Sequence, residues 1–145
     1  MYEIQFKKLY PEAKGFVKAT EGAAGWDIYA HTIDINPATR SATIYTGIAT
    51  AFSPDLVMCL FARSGLATKY GLVLANGTGI VDSDYRGEIM LKFRDLSQDA
   101  INQLLCLRGE RVAQAIFLPV APVRLVLAQE LPATVRGSGG FGSTS

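Results

Sequence analysis

Residues able to do chemistry stand closest together in NGTGIVDSDYRGEI, positions 76–89. Asn76-Gly77 is a strong hairpin-turn signal. Asp82 and Asp84 flank a serine, and on an extended strand they share one face. A carboxylate held beside a phosphoryl group can serve as general base for water. Tyr85 follows Asp82 closely enough to stack on a sugar or base bound there. The same residues are also readable as an exposed strand with ordinary surface charges.

A second set lies in FARSGLATKYGL, positions 61–72. Arg63 and Ser64 sit where a short helix over 64–70 is expected to start, with Ser64 an acceptable cap and Gly71 a stop. Helix starts present free N–H groups and positive partial charge, which favour phosphate, and Arg63 can add a bidentate clamp. A capped helix with a solvated arginine is the plainer alternative. The sequence has no G-x-x-x-x-G-K-[ST] run, which excludes P-loop chemistry. Asp27 stands among small residues in GAAGWDIYA, and Gln114 is a polar residue inside the apolar run RVAQAIF. A buried Gln114 needs a hydrogen-bond partner, although it also fits a solvent-facing position.

The chain closes on RGSGGFGSTS, positions 136–145. Gly137, Gly139 and Gly142 match G-x-G-x-x-G, but only Ser143, Thr144 and Ser145 follow them. A dinucleotide loop must open a helix and precede an acidic residue by about 20 positions, so the match is accidental. Gly/Ser-rich ends behave as flexible coil, yet Arg136, Phe141 and Thr144 are more than a spacer requires.

These groups are positioned by a chain that reads as mostly β. Alternating or short apolar runs fall at 2–6, 26–30, 42–50, 56–61, 72–75, 88–93, 111–118 and 122–128, separated by turn-rich segments such as NPATRS and ANGTG. Many short strands with little helix predict an all-β sandwich, jelly roll or barrel. LSQDAINQLLCLRG has helical periodicity and Ser97 as a cap, but strand-like segments bracket it. At most a helical turn near 97–103, followed by strand, is expected there.

A chain of 145 residues suits one domain with a real core, and a net charge of +1 without a basic block argues against stable nucleic-acid binding. The N-terminus lacks the apolar core of a signal peptide, and LVMCLFA is too short to span a bilayer. A soluble, intracellular (cytoplasmic) protein without membrane attachment is expected. Cys59 and Cys106 lie in apolar surroundings outside any C-x-x-C and are expected to be buried reduced thiols. His31 is the single histidine, expected at a strand end or on the surface, so His/Cys zinc sites and histidine triads are not expected.

Taken together and in order, the motifs AAGWDIYA (23–30), RSGLA (63–67), NGTGIVDSDYRGE (76–88), RGERVAQ (108–114) and RGSGGFGSTS (136–145) resemble the five motifs of the deoxyuridine triphosphatase (dUTPase) family. The resemblance spans nearly the whole chain. It implies a distorted jelly-roll β-sandwich over 1–135, with one short helix near 64–70 and a mobile glycine-rich lid over 136–145. It further implies a homotrimer with active sites shared between subunits, hydrolysing dUTP to dUMP and pyrophosphate with Mg²⁺. That activity limits uracil incorporation into DNA and supplies dUMP for thymidylate synthesis.

By the same resemblance Asp82 activates the water that attacks the α-phosphate, and Tyr85 packs on the deoxyribose. Asn76 with the Gly79, Ile80 and Val81 backbone reads uracil. Arg63, Ser64, Gly65 and Gln114 hold phosphate, and Asp27 holds Mg²⁺ through water. From the tail, Arg136, Ser143 and Thr144 meet the γ-phosphate while Phe141 covers the base. Trp26, Glu110 and the terminal Ser145 depart from the commoner family residues, and none of the three is an assigned catalytic group. A deoxycytidine triphosphate deaminase, which shares the fold, would need a glutamate poised at the base instead. A non-catalytic nucleotide-binding relative would be expected to have lost Asp82 or the tail.

Overall fold

The computed structural model describes residues 1–94 and 96–140. Nine strands and two helices follow one another along these residues. They are β1 (Gln5–Lys8), β2 (Trp26–Tyr29), β3 (Thr32–Asn36), β4 (Ser41–Tyr45), β5 (Ile48–Ala51), β6 (Leu56–Ala62), α1 (Ser64–Tyr70), β7 (Gly79–Val81), β8 (Met90–Phe93), α2 (Gln98–Leu105) and β9 (Arg111–Pro119). The strands form a four-stranded sheet in the order β2-β9-β6-β7, a three-stranded sheet β3-β4-β8 and a two-stranded ribbon β1-β5. All named pairings are antiparallel. This is the all-β class expected from the strand spacing, in the jelly-roll-like form that the family resemblance implies.

The core lies between the two larger sheets, because each turns an alternate set of apolar residues inward. Ala42 and Ile44 of β4 stand directly across from Phe93 and Leu91 of β8, and all four are buried. From the other sheet Ile28, Met58, Leu60, Val112, Ala113 and Ala115 join the same cluster.

Several boundaries differ from the sequence expectation. The run 42–50 is two strands, because the chain turns at Thr46-Gly47. Gly47 adopts φ +71°, and a Cβ there would collide with that of Ala13. The run 72–75 is no strand; Leu74 makes only an isolated bridge to Phe93. The run 122–128 forms no strand, and Val123, Leu125, Val126 and Leu127 are exposed. Strand β3, which the expectation omitted, alternates half-buried Ile33 and Ile35 with exposed neighbours. Its shallow burial leaves a weak apolar signal.

A second helix corrects the expectation of a single one. α2 is capped by Ser97, whose Oγ accepts from the Ala100 N–H at 3.1 Å. It buries Ala100, Ile101 and Leu104 on one face. Capping and the i, i+3, i+4 apolar stripe outweigh the strand-like flanks. α1 spans the expected residues, but its N-cap is Arg63, with no side-chain cap, and Ser64 is its first helical residue. Cys59 is buried, whereas Cys106 is exposed at the end of α2, outside the apolar stripe. His31 follows β2, half-buried and stacked on the Tyr10 ring. Among the described residues no helix is long and apolar enough to cross a membrane.

Candidate active site

The turn after β7 gathers the first group of predicted residues. β7 ends at Val81, and the chain then folds back so that the Tyr85 N–H donates to the Asp82 carbonyl at 3.2 Å. Asp82 and Asp84 therefore do not share a strand face. The turn instead brings Tyr85 back toward Asp82. Asn76-Gly77 is a tight turn, as expected, but not a hairpin: Leu74 before it pairs with Phe93, while Gly79 after it pairs with Leu60. The chain thus crosses from one sheet to the other at this point. The crossing leaves a cleft of about 450 Å³ lined by Asn76, Gly79, Ile80, Val81, Asp82 and Tyr85, among others.

Within this cleft Asp82 is exposed, and its carboxylate makes no hydrogen bond or ion pair among the described residues. Tyr85 is held more firmly. Its hydroxyl donates to the Glu88 carbonyl at 3.0 Å, and the Glu88 carboxylate accepts from the Gly47 N–H at 2.7 Å. The ring lies so close to Gly87 that any Cβ there would run into it. β7 is the edge strand of its sheet. Among the described strands, one side of its backbone is therefore without a ladder partner.

The second group assembles where β2, β9 and the end of β6 meet. Asp27 on β2 is paired in register with Gln114 on β9, and is only 8% exposed. Its Oδ2 accepts from Arg111 Nη1 at 2.9 Å, and its Oδ1 lies 3.5 Å from Arg63 Nε. Arg63 Nη1 also donates to the Arg111 carbonyl at 3.2 Å. Arg63 caps α1, so the Ser64 and Gly65 N–H groups beside it have no intrahelical acceptor. Gly65 faces open space.

Arg111 belongs to this group, although sequence reasoning did not single it out. On a regular strand, residues 111 and 114 point to opposite faces. The pairing of β2 with β9 slips between Ile28 and Tyr29, so that Tyr29 faces Arg111. That one-residue irregularity turns Arg111 to the face shared by Asp27 and Gln114. The consecutive buried pair Val112 and Ala113 marks the same break in alternation.

The two groups are not brought together within one chain. Carrying the β6–β7 register one residue past Val81 sets Asp82 opposite Val57. Arg63 lies about six residues further along β6, or roughly 20 Å at a strand's rise of about 3.3 Å per residue. Arg63 also leans toward β9, while β7 flanks the opposite edge of β6. Of the tail, Arg136 is exposed and donates to the Gly139 carbonyl at 2.9 Å, contacting neither group. Phe141, Ser143 and Thr144 lie outside the described residues.

Among the described residues no group of three or more His, Cys, Asp or Glu side chains could by itself hold a metal ion. Both oxygens of Asp27 already face guanidinium groups. The donor set does not fit a metal coordinated directly by the chain. It fits a magnesium ion that travels on phosphate oxygens and keeps its waters, since a carboxylate oxygen with one partner can still accept from a metal-bound water.

A family model described as dUTPase matches residues 12–145. The deoxyuridine 5'-triphosphate nucleotidohydrolase of Desulfitobacterium hafniense (strain DSM 10664 / DCB-2) is 45% identical over 130 residues, covering 87% of this chain and 83% of that protein. That of Nautilia profundicola is 38% identical over 143 residues, covering 98% of each. Among solved structures, the dUTPase of Staphylococcus bacteriophage 80alpha with dUPNHPP superimposes with a TM-score of 0.82 at 24% identity, over 99% of this chain and 98% of that one. A dUTPase mutant from phage phi11 of S. aureus, described with a structural Mg(II) ion, gives a TM-score of 0.73 at 21% identity over 90% and 99% of the two chains. At these identities the structural likeness concerns the fold alone.

Proposed function

The chain belongs to the dUTPase family and is a hydrolase of dUTP, and from that premise we propose how its residues divide the reaction. The uracil lies along the edge of β7. Free backbone groups of Gly79, Ile80 and Val81, with the Asn76 side chain, pair with its hydrogen-bonding edge. Tyr85, fixed by Gly87 and Glu88, packs on the deoxyribose and leaves no room for a 2′-hydroxyl. Asp82 takes a proton from the water that attacks the α-phosphorus. As the new P–O bond forms, the bond to the bridging oxygen breaks, and its electron pair leaves with pyrophosphate; dUMP remains. The observation that carries this reading is the exposed carboxylate of Asp82, which lines the cleft and has no partner among the described residues.

The phosphate chain is held by Arg63, the Ser64 and Gly65 amides and Gln114, donors aimed where negative charge accumulates. Mg²⁺ bound to the triphosphate and touching Asp27 through its waters would supply further charge neutralisation. Because Asp82 and Arg63 of one chain are too far apart to serve one triphosphate, the site takes them from two copies, in a homotrimer. The apolar run 120–135 supports this assembly. Leu125, Leu127 and Val135 are nearly or fully exposed in the single chain, so a neighbouring copy has apolar surface to cover. The tail 136–145 acts as a lid over the completed site, with Arg136, Ser143 and Thr144 on the γ-phosphate and Phe141 on the base.

Asp82→Asn tests the assignment of the base. An amide cannot accept the proton, so turnover should fall by about 10²–10⁴-fold, while calorimetry still records binding of a non-hydrolysable dUTP analogue. Turnover near that of the wild type would remove Asp82 from this role.

A further inference from the structure

Asp27 is a nearly buried carboxylate with two cationic partners, and the two contacts are unequal. Arg111 makes a hydrogen bond of 2.9 Å to Oδ2, whereas Arg63 Nε stays at 3.5 Å from Oδ1. The side chains of Arg63 and Arg111 are 34% and 38% exposed, so both guanidinium groups border solvent while the carboxylate does not. With two arginines and one aspartate, the cluster keeps a net positive charge.

A buried carboxylate without a counter-charge is strongly unfavourable. Were Arg63 the sole partner, moving it onto a phosphate would strand Asp27. With Arg111 in place, Asp27 remains paired whichever way Arg63 turns. We propose that Arg111 is a positioning residue: it keeps Asp27 neutralised and thereby frees Arg63 to engage the phosphate chain. This rests on the reading of Arg63 as a phosphate ligand.

The slip in the β2–β9 register is part of the device, since without it Arg111 would face away from Asp27. Arg63 is also tied to the Arg111 main chain rather than to its side chain. Truncating the Arg111 side chain therefore leaves that hydrogen bond available, and removes only the competitor for Asp27.

The test is a cycle of Arg111→Gln, Asp27→Asn and the double variant in the full chain. Affinity for a non-hydrolysable dUTP analogue is read by calorimetry with Mg²⁺ withheld, so that the water-mediated metal contact of Asp27 does not enter, and exchange of the Arg63 Nε–H by NMR. Arg111→Gln should weaken analogue binding about tenfold, and slow Arg63 Nε–H exchange as Asp27 draws that side chain in. Adding Asp27→Asn should restore most of the affinity and speed the exchange. Arg111→Lys, which keeps a cation, should lie nearer the wild type and serves if Arg111→Gln does not fold. Unchanged affinity and exchange in Arg111→Gln, or no restoration in the double variant, overturns the proposal. Arg63→Ala separates the two ideas. Wild-type analogue binding in that variant refutes the phosphate role of Arg63, while the exchange rates still report whether the arginines compete for Asp27.

Discussion

Mixing two crippled proteins should regenerate a working one. Asp82→Asn removes the proposed base from the β7 turn, and Arg63→Ala removes the proposed phosphate clamp from the start of α1. Each assembly alone carries the same defect in every site. Loss of the base lowers the rate by about 10²–10⁴-fold, so the Asp82→Asn background is about a hundredth of wild type or less. If one site takes Asp82 from one copy and Arg63 from another, equal mixing leaves each residue intact with a chance of one half. The chances multiply to about one quarter of wild-type activity for the whole mixture. Tandem purification removes the unmixed assemblies, and every mixed ring of three then holds one intact site, about one third of wild-type activity, provided the interface is heterologous. The basis is the separation of roughly 20 Å along β6 between the register position of Asp82 and Arg63, at about 3.3 Å per residue. Co-expression with two affinity tags, followed by tandem purification and a pyrophosphate-release assay, measures the recovery. Tag recovery proves the exchange independently of activity. Exchanged assemblies that stay at the mean of the two parents would show that one chain supplies both residues, and the register argument would be wrong.

Gly87→Ala should loosen sugar discrimination. The added Cβ would meet the Tyr85 ring at Cε2 at 3.0 Å and lie closer still to its hydroxyl end. The ring must turn and break its bond to the Glu88 carbonyl, at a cost of about 0.5–1.5 kcal/mol. The ratio of kcat/KM for UTP to that for dUTP should rise about tenfold, a change worth about 1.4 kcal/mol at the transition state. An unchanged ratio in Gly87→Ala beside an altered one in Tyr85→Ala would clear Gly87 of this duty. Deleting 136–145 should leave the number of subunits unchanged by light scattering, yet lower turnover by on the order of 10²-fold, the scale of removing a preorganised donor. Normal hydrolysis by the truncated protein would reduce the tail to a spacer.

Most of the fold was legible because strand alternation is a local signal. β4 and β8 show it well: Ala42 and Ile44 face Leu91 and Phe93 with polar or exposed residues between. What failed depends on partners far along the chain. The run 122–128 has strand composition, but pairing is not written into a segment's own residues, and among the described residues no strand meets it. LSQDAINQLL has strand-like neighbours, but its own period is helical. Ser97 and the stripe of Ala100, Ile101 and Leu104 were sufficient to define α2.

The candidate site divides the same way. Asp82 and Tyr85 were readable because they sit within one turn, where sequence distance and spatial distance agree. Even there, the period-2 rule wrongly paired Asp82 with Asp84, since the strand ends one residue too early. Arg111 was invisible to that rule for a related reason. Its odd separation from Gln114 assigns it to the wrong face, and only the slipped register against Tyr29 corrects the assignment. A positional rule fails where the ladder is irregular, and here the irregularity delivers a second cation to a buried carboxylate. The same placement decides the partners of Asp27: Arg111 and Arg63 face its two oxygens.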